Sequence, residues 1–201
     1  MSVESLSAED IEANFNKFRQ FCSMLGDRSE AAVSLVDNLG ERLALCPASG
    51  RSDYHNAFPG GLVEHSLRVL LNAKRLATAF SWDLPKSSLI IGSLFHDLGK
   101  VGSPTGDYYV PQNDSWRVKN LGEVYLHNTK IEYMSVPDRG LFLCQHFGLK
   151  LTHDETLAIK LNDGFILDEN KKYCLKTPLL AYAVMTADYI ATCQEKDIFP
   201  M

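Results

Sequence analysis

Apolar residues recur at helical spacing along most of the chain, and several of these segments begin with recognisable capping residues. Ser7, with Asp10 three positions later, opens a helix toward Leu25 as a capping box, and Phe15, Phe18, Phe21, Cys22 and Leu25 form its apolar face. That face suits either the core or a second copy of the chain. Ser29 starts a second helix that ends before Pro47. The stretch from Pro47 to Asp53 reads as a loop rimming the site, and Pro59-Gly60-Gly61 lead into a third helix with Leu62, Val69, Ala73 and Leu76 on its inner stripe. Pro85 opens a fourth, apolar on every side from Ser88 to Phe95 and closed by Gly99 and Gly102. Asp107-Tyr108-Tyr109-Val110, a turn at Pro111-Gln112-Asn113-Asp114, and Trp116-Arg117-Val118-Lys119 predict a small β-hairpin, a flap over the pocket. Thr152 and Glu155 form a second capping box, and Thr177-Pro178 supply the N-cap and first turn of a last helix through Ala191. The expected architecture is all-α, a single domain over residues 1–201, with helices in 1–46 packing on a core at 54–192. Asp168 to Lys172 is a polar connector, and no repeat or low-complexity segment interrupts the pattern.

Three places break the apolar pattern from within. His96-Asp97 ends the apolar run of the fourth helix, His65 sits in the stripe of the third, and Asp188 shares a face with Ala181, Val184, Met185 and Ala191 in the last. Burying an ionised carboxylate costs several kcal/mol or more unless a cation or donors meet it. Two imidazoles and two carboxylates from separate helices suit one divalent metal, and the N/O donor set favours Mn²⁺, Fe²⁺, Co²⁺, Ni²⁺ or Zn²⁺ over Ca²⁺ and Mg²⁺. With ligand positions left open, such an ion can bind a water and make it nucleophilic.

The order His65, then His96-Asp97, then Asp188 within Ala187-Asp188-Tyr189 resembles the HD superfamily of metal-dependent phosphohydrolases. Phe95-His96-Asp97-Leu98-Gly99-Lys100 is similar to that superfamily's central signature. The segment from Tyr54 through His55-Asn56-Ala57-Phe58-Pro59-Gly60-Gly61-Leu62-Val63-Glu64 to His65 is similar to the approach to the first ligand in exoribonuclease and relaxase-associated HD domains. The resemblance spans about Tyr54 to Thr192 and implies an HD-type helical bundle, His65, His96, Asp97 and Asp188 as metal ligands, and Asp97 as catalytic. Two-metal members carry later histidines, which makes His127 and His146 the candidates for a second ion. Where the similar branch has its later histidine, this chain has Asn162 and Asp163, which weighs against two ions. His55 falls to loop structure or substrate contact.

Lys100, three residues after Asp97, is the second catalytic candidate, placed to bind a substrate phosphate, or simply sits solvated at a helix C-terminus. Arg68 and Arg139 are further phosphate candidates, with ordinary surface roles as the alternative. Glu64 is either solvated or steers the water, and His153 is expected to be exposed. Composition adds bounds. With 201 residues and a net charge of −5, the chain has no global basic field, so long nucleic acids are disfavoured and a nucleotide or short oligonucleotide is the expected partner. Five cysteines without a Cys-x-x-Cys spacing read as reduced, mostly buried thiols. The polar start Met1-Ser2-Val3-Glu4-Ser5 and the lack of a spanning apolar run point to the cytoplasm. Three functions remain open: a nucleotide or phosphodiester hydrolase, a 3′-to-5′ single-strand exonuclease with Tyr108, Tyr109 and Trp116 stacking bases, or a non-catalytic metal- or nucleotide-binding module.

Overall fold

Ser7 and Thr152 each accept a hydrogen bond from the amide three residues on, at 3.1 and 3.2 Å, while the carboxylates of Asp10 and Glu155 accept one from the capping residue's own amide. These reciprocal caps start α1 (Ala8–Cys22) and α7 (His153–Lys160), as their sequences predict. The computed structural model describes residues 5–199; the polar start at 1–4 lies outside them. Between the capped helices run α2 (Ser29–Ala44, kinked at Gly40), α3 (Gly61–Ala79), α4 (Lys86–Phe95), β1 (Tyr109–Pro111), α5 (Ser115–Leu121), β2 (Tyr125–His127) and α6 (Val136–His146). α8 (Leu179–Glu195) follows α7. The fold is a helical bundle with one small antiparallel ribbon.

α3 lies against α4 and α8, and α7 closes on α4 and α8. Phe18, Cys22 and Leu25 are buried in the same cluster as Leu35, Leu62, Val69, Ile91, Leu94, Leu143, Ile159 and Val184, so the apolar face of α1 serves the core. A polar staple crosses the bundle. Glu155, fully buried, accepts both Arg28 Nη1 and Nη2 at 2.6 and 3.1 Å and Ser88 Oγ at 2.8 Å, tying the start of α2, α4 and α7 together.

Three local expectations are corrected. The hairpin pairs Tyr109 with His127 and Pro111 with Tyr125, and Trp116 to Lys119 are helical. Asp114 decides this, because its Oδ1 accepts the amides of Trp116 and Arg117 and caps α5. α4 stops at Phe95, before the expected glycines, and the chain tightens into a 3-10 turn over Leu98–Val101. A side chain at Gly99 would place its Cβ 2.0 Å from the Val136 carbonyl oxygen, so glycine lets α6 close on that turn. At α8, Pro178 occupies the N-cap position, and the buried Thr177 hydroxyl makes no hydrogen bond.

All five cysteines are free; Cys22, Cys46, Cys144 and Cys193 are buried. Among the described residues no helix is long and apolar enough to cross a membrane.

Candidate metal centre

α3 begins where Gly60 turns left-handed at φ +85° and Gly61 approaches so closely that a Cβ there would lie 2.1 Å from the Asn56 carbonyl oxygen. One turn later His65 points into the bundle, with no exposed surface. α4 delivers His96 at its C-cap, also fully buried, and Asp97 in the following turn. α8 brings Asp188 against them.

The four residues converge. The two histidine Nε2 atoms are 3.3 Å apart. Asp188 Oδ1 lies 3.0 Å from His65 Nε2 and 3.9 Å from His96 Nε2. Asp97 Oδ2 lies 3.5 Å from His96 Nε2 and 3.9 Å from His65 Nε2. Two ligands bonded at about 2.1 Å to a common ion are separated by such distances when they subtend roughly 90° to 135°. His65, His96 and Asp188 are thus one group able to hold a metal, and His55, His65 and Asp97 are another.

Both ring orientations are set from behind. His65 Nδ1 is 2.9 Å from Glu195 Oε2, and His96 Nδ1 donates to the Ser93 carbonyl at 2.7 Å, leaving each Nε2 to the centre. Arg68 Nε donates in turn to Glu195 Oε1 at 3.1 Å and Nη2 to Glu64 Oε1 at 3.0 Å. Burial pushes the His65 imidazole down, but the Glu195 and Asp188 carboxylates more than reverse this and raise it to about 10. Burial likewise pushes Asp97 up, while Lys100, His96 and His65 hold it well below the usual carboxylate range. Lys100 Nζ reaches Asp97 Oδ2 at 2.5 Å across the 3-10 turn and stays charged, because Asp97 outweighs the burial that would lower it.

Two clefts flank this centre without being lined by its donors. One, of about 310 Å³, is lined by Lys100, Tyr109, Tyr125, Arg42 and Cys46, so it meets the centre at Lys100. The other, of about 420 Å³, is bordered by Tyr108, Tyr133, Met134 and Asp163. We place the site by the donor set, since the clefts carry none of the four convergent groups.

A family model for the HD domain matches residues 62–193, a span that opens just before His65 and closes beyond Asp188. The chain belongs to the HD domain family. HD domains are generally metal-dependent hydrolases of the phosphohydrolase superfamily, and the family binds divalent metals. A search of curated proteins and one of solved structures returned no match.

Not every candidate gathers at the HD centre. Arg68 is engaged by Glu64 and Glu195, so carboxylates take the role expected of a phosphate. Arg139 is buried beneath Tyr108, 4.8 Å from its ring, and donates to the Gly99 and Glu132 carbonyls; it braces the Lys100 turn and lines neither cleft. His127 is exposed on β2 with its ring stacked on Tyr108, and His146 is exposed at the end of α6 between Phe142 and Phe147. Among the described residues, neither joins a group able to hold a metal. Strand pairing and the outward face of α6 hold them away.

Three residues near the HD centre carry roles that their sequence context does not announce. Glu195 backs His65; its signal is its position seven residues, two turns, after Asp188 on one face of α8. Asn162 donates from Nδ2 to Asp97 Oδ1 at 3.4 Å. His55 packs its ring 4.6 Å from that of His65.

Proposed function

We propose that this HD domain hydrolyses phosphoester bonds of nucleotides or short phosphodiesters, with His65, His96, Asp97 and Asp188 holding one divalent cation. The observation that carries the reading is the meeting of four donors, from three segments of the bundle, whose histidine Nδ1 atoms are already engaged. When bound, a transition-metal ion supplies Lewis acidity that makes water nucleophilic near neutral pH and offsets charge on a phosphoryl oxygen. The protein's own residues do the rest. Lys100, held by Asp97 and open to the 310 Å³ cleft, takes a non-bridging phosphate oxygen as a point charge. Asp188, whose side chain is 20% exposed against 0% for both histidines, marks the side from which solvent and substrate enter. The N₂O₂ set supports Mn²⁺, Fe²⁺, Co²⁺, Ni²⁺ or Zn²⁺. The unpaired thiols fit a reducing, cytoplasmic setting.

The test pairs metal analysis of the purified protein with phosphate and nucleoside release from a panel of nucleotides and short oligonucleotides in Mn²⁺. Metal-dependent release is expected from the wild type and not from Asp97→Ala or Asp188→Ala; unchanged turnover in either variant refutes the assignment. A second reading, single-strand exonuclease, draws on Tyr108 and Tyr133 beside one cleft and Tyr109 and Tyr125 beside the other, which offer faces for base stacking. Trp116 is exposed on α5 and lines neither. Salt-sensitive binding of single strands, with mononucleotides released from one end, would favour it. Bound metal with no turnover on any substrate would leave the regulatory module.

A further inference from the structure

We infer that His55 is a fifth protein ligand, so that the centre takes its cation with three imidazoles and two carboxylates. The inference rests on the metal-binding reading above and extends it to a residue outside the family match, which begins at residue 62.

Geometry places the ring at the centre. A ring nitrogen of His55 lies within 4.8 Å of donor atoms of both His65 and Asp97, and those two are themselves within that span. Ligands on opposite sides of one ion with bonds of about 2.1 Å are about 4.2 Å apart, so three donors gathered within 4.8 Å of one another are spaced as ligands of a common cation are. One ring nitrogen is also left without a partner. His55 Nε2 is buried and makes no hydrogen bond, an arrangement that disfavours the fold unless something meets that atom.

The loop carrying His55 is held for this task by its neighbours. Ser49 Oγ donates to the His55 carbonyl at 2.7 Å, and the Ala48 amide donates to the Asn56 carbonyl at 3.0 Å. Asn56 itself sits at φ +44°, left-handed backbone that a non-glycine residue adopts at some cost, and its Nδ2 donates to Glu64 Oε2 at 3.1 Å on the first turn of α3. The same helix that presents His65 therefore anchors the residue next to His55. A third neutral imidazole shifts the donor set further from Mg²⁺ and Ca²⁺ toward Mn²⁺, Fe²⁺, Co²⁺, Ni²⁺ or Zn²⁺. On a six-coordinate ion it leaves one open position where four ligands would leave two.

Cobalt(II) reports on this directly. Metal-free wild type, His55→Ala and His55→Cys are titrated with Co²⁺ while visible and near-ultraviolet absorption and binding heat are followed. We expect His55→Ala to bind Co²⁺ at least about tenfold more weakly with a changed visible spectrum. The cysteine variant should gain a thiolate-to-cobalt charge-transfer band absent from the wild type, a signal that loosening of the loop cannot produce. Wild-type affinity and spectrum in His55→Ala, together with no such band in His55→Cys, would overturn the inference even if turnover fell, and would place His55 against substrate instead. A wild type that takes up no Co²⁺ would remove the metal reading itself, and this inference with it.

Discussion

His65 holds a proton in the metal-free chain, because two carboxylates face its buried ring and raise it to about 10. A ligating imidazole must be neutral, so a cation at the centre competes with that proton for one site. Metal binding at neutral pH is expected to release about one proton, with affinity climbing ~10-fold per pH unit up to about 10. Calorimetry in buffers of different ionisation enthalpy counts the proton, and an affinity flat between pH 7 and 9 would contradict this account. The same shift has a stability sign. A raised imidazole stabilises the metal-free fold fully below the ordinary 6.5, and that contribution disappears as pH rises through about 10. Glu195→Gln keeps the shape and removes the charge behind His65, so metal affinity should fall about 10- to 100-fold with little change in fold; titration with Mn²⁺ reads it. The quartet was legible because each member interrupts an apolar helix. Glu195 and Arg68 were not: a glutamate near a helix end and an arginine four residues after Glu64 look like surface charges until α3 and α8 are packed together.

At the scale of elements, the Glu155 staple is the polar feature with most at stake. Burial pushes its carboxyl up, and the hydrogen bonds from Arg28, the Thr152 amide and Ser88 outweigh that to hold it below its ordinary 4.5. A depressed carboxyl stabilises above its unfolded value and loses that contribution as pH falls, so the fold should weaken progressively below about 4.5. Arg28→Ala strands a buried carboxylate and should cost about 3–5 kcal/mol in urea unfolding, well above an ordinary surface change. Capping boxes made α1 and α7 readable, since the signal lies within four residues. The ribbon was misread for the opposite reason: β1 finds its partner beyond α5, and only the Asp114 cap indicated that Trp116 begins a helix.

Across the whole molecule, the donors couple segments that are distant in sequence: α3, the end of α4 and α8. A cation bound among them stabilises the native state alone. At a free concentration 100 times its dissociation constant it adds ~2.7 kcal/mol, which for a chain of this size raises the melting temperature by about 5–10 °C. Mn²⁺ or Co²⁺ should produce this rise in the wild type, and Asp188→Ala should abolish it in the same thermal scan. The all-helical class was readable from periodicity and the motif, whereas the positions of the clefts depended on how Tyr108 and Tyr109 fall to either side of the ribbon.

Asp97 already carries a counter-ion in Lys100, a residue that also lines the neighbouring cleft. A phosphate settling there would draw the ammonium toward itself and loosen its hold on Asp97, freeing that carboxylate to donate more strongly to the centre. A phosphate-bearing ligand would then tighten the grip on a cation held beside it, making the chain a better metal chelator while occupied than while empty.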